Sequence, residues 1–84
     1  MNKDEIKSLI LTLLKSRQAI RADQSIDNFN FIEEGVIDSI SLIKFVIELE
    51  DKFSIDIESH DISNSNFKTV GGLTDLIHSK INAQ

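Results

Sequence analysis

In three separate stretches of this chain the apolar residues return every three or four positions, and nowhere do they alternate over a useful length. Ile6, Leu9, Ile10, Leu13 and Leu14 share one face of a helix predicted over roughly residues 3–18. Leu42, Phe45, Val46, Leu49 and Phe53 do the same over 39–53, and Val70, Leu73, Leu76, Ile77 and Ile81 over 69–81. Proline is absent, so no helix meets a forced break. Each helix also has a start signal. Asn2 can cap the first, with Glu5 three residues on to reach back to the cap. Asp38 caps the second and Thr69 the last. Lys15 and Arg17 fall near the end of the first helix, where the dipole favours positive charge. Gly71 and Gly72 weaken the first turn of the last helix, by about 1 kcal/mol each relative to Ala.

Residues 19–37 form a long connection with little periodicity, along which Ile20, Ile26, Phe29, Phe31 and Ile32 are scattered. A loop of that length in a small chain packs or functions, and its apolar residues predict that it packs over the helices. Gly35 allows a flexible turn just before Asp38. Ile55 and Ile57 lead into Ser59-His60-Asp61-Ile62, a short helical turn near 59–63. The reading is all-α: three main helices, a short fourth element and one long loop, in a single domain over residues 1–84. Leu9, Leu13, Val46, Leu49, Phe53, Leu73 and Ile77 are its expected core.

With 84 residues the chain has room for one modest core, and 40% hydrophobic residues are too many for a disordered chain. The net charge is −5, from 14 acidic against 9 basic residues. That balance argues against nucleic acid and favours partners with basic surfaces. Cysteine is absent, which excludes disulfides, thiolate metal sites and a cysteine nucleophile. Any thiol in the chemistry must come from a cofactor. No apolar run is long enough to span a bilayer, and Met-Asn-Lys-Asp-Glu does not read as a signal peptide. A cytoplasmic monomer is expected.

The second helix has two apolar faces. Opposite its core stripe, roughly 140° away, stand Ile40, Ile43 and Ile47. Glu48, Glu50, Asp51 and Lys44 flank that ridge. Two readings are open. The loop 19–37 folds over the ridge and buries it, or the ridge is an exposed docking surface with an acidic rim.

At the start of this helix stands Gly35-Val36-Ile37-Asp38-Ser39-Ile40. Asp and Ser there have a local explanation, since both satisfy free backbone N–H groups. The same N–H groups and the helix dipole also favour an anion. The stretch from Phe31 to Ile57 resembles the central part of acyl carrier and peptidyl carrier proteins. Their pattern is an Asp-Ser-Leu-like triplet opening an amphipathic helix that closes in Leu-Glu-x-x-Phe. Here it reads Asp38-Ser39-Ile40 and Leu49-Glu50-Asp51-Lys52-Phe53. Asn66-Phe67-Lys68-Thr69-Val70 resembles the family's entry into its last helix. With the first helix included, the likeness covers essentially the whole chain.

The resemblance implies a four-helix bundle. It implies that Ser39 accepts 4′-phosphopantetheine from coenzyme A through a phosphopantetheinyl transferase, with Asp38 helping to present the site. The arm's thiol would hold acyl or aminoacyl cargo as a thioester, so the sulfur comes from the prosthetic group. An adenylating ligase would load the cargo, and a transferase or synthase would accept it. The expected partner surface comprises Ile37, Ile40, Ile43, Lys44, Ile47, Glu48 and Asp51. Two features depart from housekeeping fatty-acid carriers, which usually read Gly-Ala-Asp-Ser-Leu-Asp. Two residues separate Gly35 from Asp38, and Ser41 replaces the usual acid. Lys44 also interrupts the acidic face. These features look more like stand-alone carriers of specialised pathways or of D-alanine.

Two other classes compete. Ser39, His60, His78 and the carboxylates could be assembled on paper into a hydrolytic triad, but no nucleophile elbow surrounds the serine. The histidines read as surface residues, and a non-catalytic chain is expected. Asp51, Asp56, Glu58 and Asp61 lack the spacing of a calcium loop. The other alternative is a helical interaction module that is never modified.

Overall fold

The computed structural model describes residues 1–16 and 26–83, without the side chains of Ser39 and Ala83. Among these residues four α-helices follow in order: α1 (Lys3–Lys15), α2 (Ser39–Phe53), α3 (Ser59–Ser63) and α4 (Val70–Ala83). Single 3-10 turns stand at Ile26–Asn28 and Ser65–Lys68. The predicted continuation of the first helix to residue 18, with Arg17, and the packing of Ile20 lie outside the described residues.

The capping box of α1 forms as its residues predict. Asn2 Oδ1 accepts the Glu5 N–H at 2.9 Å, and the Asn2 N–H donates to Glu5 Oε1 at 3.2 Å. Ile6, Ile10 and Leu14 are fully buried, each four residues from the last. Leu9 and Leu13 are only half-buried, contrary to expectation. They stand about 100° and 60° round the helix from the centre of the buried stripe, so they line its shoulder.

α2 buries Phe45, Val46, Leu49 and Phe53 as its core stripe. Leu42, in its first turn, is half-buried against that core. The helix stops at Ser54, which takes a left-handed conformation with φ 54° and donates its N–H to the Glu50 carbonyl. This reversal sends Ile55 into the core, and the Ile57 N–H then bonds Glu50 Oε2 at 3.0 Å.

Thr69 caps α4 by accepting the Gly72 N–H on Oγ1 at 3.1 Å. Gly72 has a steric reason for its cost. A Cβ there would lie 2.3 Å from the Asn66 carbonyl oxygen, so only glycine lets the second 3-10 turn cross the start of α4 so closely. Val70, Leu73, Thr74 and Ile77 are buried along α4, and the Thr74 hydroxyl is satisfied by the Val70 carbonyl at 2.7 Å.

The described part of the long connection packs over the helices. Phe31 is fully buried, with its ring edge-on to Phe45 of α2 at 5.5 Å and to Phe67 of the second 3-10 turn at 6.5 Å. The backbone is stitched to the start of α4 just ahead of Phe31. The Phe31 N–H donates to the Lys68 carbonyl, and the Val70 N–H donates to the Phe29 carbonyl, each at 3.1 Å. Asn30 and Thr69 form an isolated bridge between those bonds.

Candidate functional site

The route into α2 is a tight turn. Asn30 Oδ1 accepts the N–H groups of Ile32 and Glu33, which curls the chain, and Gly35 supplies a φ of +77°. The Ile37 N–H then donates to the Phe31 carbonyl at 3.1 Å. Ile37 itself is fully buried. Its expected place on the partner surface is therefore wrong. An apolar residue just before a helix cap is commonly turned inward to pack, and Ile37 is part of the core. Val36, which no functional expectation included, is buried with it. These two residues and Phe31 anchor the approach to the site, and the rule for apolar residues before a cap is the sequence signal that could have found Ile37.

Asp38 follows in extended conformation and caps α2. Its Oδ1 accepts two backbone N–H groups, from Ile40 at 3.0 Å and Ser41 at 2.7 Å. The Ser41 N–H, the Ser41 side chain and the Ile40 N–H together outweigh a slight desolvation and hold the carboxyl below the usual aspartate value. Asp38 is thus an exposed carboxylate at neutral pH. Ser39 is the first residue of α2. Its side chain lies outside what the structure describes.

Beyond this start the outer ridge is open. Ile40, Ile43 and Ile47 are 81%, 67% and 58% exposed, so the described part of the connection does not cover them. Lys44 and Asp51 are exposed beside them, and Glu48 is half-buried. The histidines belong to other elements. His60 lies on α3, with Nδ1 3.2 Å from Glu58 Oε2, and His78 lies on α4 beside Asn82. Among the described residues no three His, Asp or Glu side chains gather into a cation site. No described helix is long and apolar enough to cross a membrane.

A family model described as "Phosphopantetheine attachment site" matches residues 4–77, which span α1 through most of α4. The chain belongs to that family. Among its relatives is an acyl carrier protein of Lactobacillus acidophilus, 33% identical over 79 residues, covering 94% of this chain and 96% of the relative. An acyl carrier protein of Lactobacillus johnsonii is 30% identical over 82 residues, covering 98% of this chain and all of the relative. D-alanyl carrier protein 2 of Lactiplantibacillus plantarum is 23% identical over 69 residues, covering 82% and 85%. Membership makes this chain a carrier protein with covalent 4′-phosphopantetheine as its prosthetic group. The start of α2 suits such a group. It combines a hydroxyl-bearing residue, the anion-favouring end of a 15-residue helix and exposed flanks at Asp38 and Ile40.

Proposed function

We propose that Ser39 bears the phosphopantetheine arm and that the chain, one carrier domain over residues 1–84, ferries acyl or aminoacyl cargo between enzymes. In the attachment step the Ser39 oxygen bonds to the phosphorus of the phosphopantetheine half of coenzyme A. The pyrophosphate bond breaks, adenosine 3′,5′-bisphosphate leaves, and the serine proton passes to solvent or to a base of the transferase. Once attached, the arm supplies a terminal thiol that this cysteine-free chain lacks, and cargo is held there as a thioester.

The chain's own residues bind and present rather than catalyse. Asp38 fixes the first turn of α2 through its two N–H bonds and offers a carboxylate beside Ser39 to the phosphopantetheinyl transferase and its metal. Ile40, Ile43 and Ile47, with Lys44, Glu48 and Asp51, form the surface that the transferase, an adenylating ligase and a cargo-accepting transferase or synthase share. The observation that carries this reading is the exposure of that ridge on the helix that Ser39 opens. Three large apolar side chains left in water on one stripe are a surface awaiting a partner. The proposed setting is the cytoplasm, with the carrier a monomer.

Intact-mass spectrometry of the protein purified from its native host tests the proposal and identifies the cargo. The expected result is one phosphopantetheine per chain, with a thioester-bound group removable by hydroxylamine. A chain that carries no arm in its host would instead be an unmodified interaction module.

A further inference from the structure

The segment that contains α3 is held between two buried anchors, Ile55 before it and Phe67 after it. Between them only Asp61 is buried, while Ile57 and Ile62 are half-buried and the other residues are exposed. The near end is also tied to α2 by the bond from the Ile57 N–H to the Glu50 carboxylate. α3 itself therefore has little apolar surface with which to grip the bundle.

Its buried residue is instead a charge. Asp61 Oδ2 lies 2.8 Å from Lys80 Nζ on α4 and accepts the Glu58 N–H at 2.9 Å. Oδ1 lies 3.5 Å from His60 Nε2. The Asp61 and Lys80 side chains are 9% and 23% exposed, so water screens this pair far less than the open pair between Lys3 and Asp75. Breaking such a pair by removing one partner leaves the other charge only partly hydrated and without its counter-ion.

We propose that the Asp61–Lys80 pair is a latch that fastens α3 to α4, and that its release lets α3 lift as a unit while α1, α2 and α4 stay folded. The flanks can accommodate such a movement. Glu58 and Asn64, on either side of α3, are both extended and exposed. The half-buried Ile62 is all the described apolar surface that α3 itself must expose. Segments with few buried apolar contacts and exposed backbone hydrogen bonds open at lower free energy than the whole domain. The latch gives the carrier two arrangements of α3 that share one α2 surface. The inference stands on contacts of α3 and α4 and does not depend on which serine bears the arm.

Amide hydrogen exchange on the full 84-residue chain at neutral pH tests it. The reporters for α3 are Ile62 and Asn64, whose N–H groups bond the Glu58 and Asp61 carbonyls. Leu73 and Ile77 report on α4. Asp61→Asn keeps an acceptor for the Glu58 N–H but removes the charge, and Lys80→Met keeps the aliphatic stem. Each should lower protection of Ile62 and Asn64 by roughly tenfold or more, with a smaller effect at Leu73 and Ile77. The double variant should lose no more than the worse single variant, because both substitutions break one contact. In the natural sequence, low urea should speed exchange at Leu73 and Ile77 while leaving Ile62 and Asn64 nearly unchanged, a measurement that needs no variant to fold. Unchanged α3 protection in both variants, an equal loss across α3 and α4, additive losses, or the same urea response at all four amides would each overturn the latch.

Discussion

Phe31→Ala removes the ring on which the connection between α1 and α2 depends. The side chain is fully buried and touches two further rings edge-on, at 5.5 and 6.5 Å. Truncating a buried phenylalanine costs about 3–5 kcal/mol, and the two aromatic contacts place this one toward the upper end. At roughly 0.05–0.15 kcal/mol per residue, an 84-residue chain has a total stability of about 4–13 kcal/mol. The variant should therefore lose at least a third of its stability and is expected to be partly unfolded at the lower end of that range. Urea unfolding followed by circular dichroism reads the change, with Ile43→Ala as the comparison. Ile43 is 67% exposed, so its truncation should shift stability by no more than about 0.5 kcal/mol. A loss below about 1.5 kcal/mol for Phe31→Ala, or equal losses for the two variants, would show that the connection is not anchored by this ring.

Other perturbations separate surface from core. Ile43→Asp should fold like the natural chain yet slow cargo loading by its ligase, because docking would desolvate a carboxylate against an apolar contact; normal loading would place the partner elsewhere. Asp51→Lys should slow association with a basic partner at low salt and lose its effect at high salt, while Lys44→Glu should speed it, as stopped-flow measurements at two ionic strengths would show. The pH dependence of stability should carry the mark of Asp61. Burial pushes its carboxyl up, but the Lys80 and Glu58 hydrogen bonds and the charges of Lys80 and His60 outweigh this and hold it below the usual value. A depressed folded-state pKa stabilises the protein above the unfolded value, about 3.9, and that contribution disappears as pH falls through the folded value. The gap in Tm between the natural chain and Asp61→Asn should thus be widest near neutrality and shrink below about pH 4. A gap that stays constant down to pH 2 would contradict this.

The helices were legible in the sequence because their signals are local. The span of α2 follows from the Asp38 cap and the 3.6-residue stripe whose last member is Phe53, and the short α3 falls where the polar Ser59-His60-Asp61 turn interrupts the apolar run. What was hidden depends on partners distant in the chain. Leu9 and Leu13 have the right periodicity, but whether a flank position is buried depends on how α1 sits against α4. Ile37 groups by sequence with the outer ridge that begins three positions later at Ile40, yet it precedes the Asp38 cap and is fully buried in the core. The exposure of Ile40, Ile43 and Ile47 could not be decided from their pattern, since the same pattern fits a ridge buried under the connection. The reason for Gly72 was likewise invisible until Asn66 was seen against it. The Asp61–Lys80 pair spans 19 positions, counted from the two numbers, beyond the reach of helical spacing rules.

Site-resolved mass spectrometry after incubation with coenzyme A and a phosphopantetheinyl transferase tests the proposed role of Ser39 most directly. The natural chain and Ser41→Ala should each gain one phosphopantetheine, located on Ser39 by fragmentation, and Ser39→Ala should gain none while keeping its helical circular dichroism. Modification that persists in Ser39→Ala, or a natural chain that stays unmodified beside a control carrier that is fully converted, would contradict the assignment.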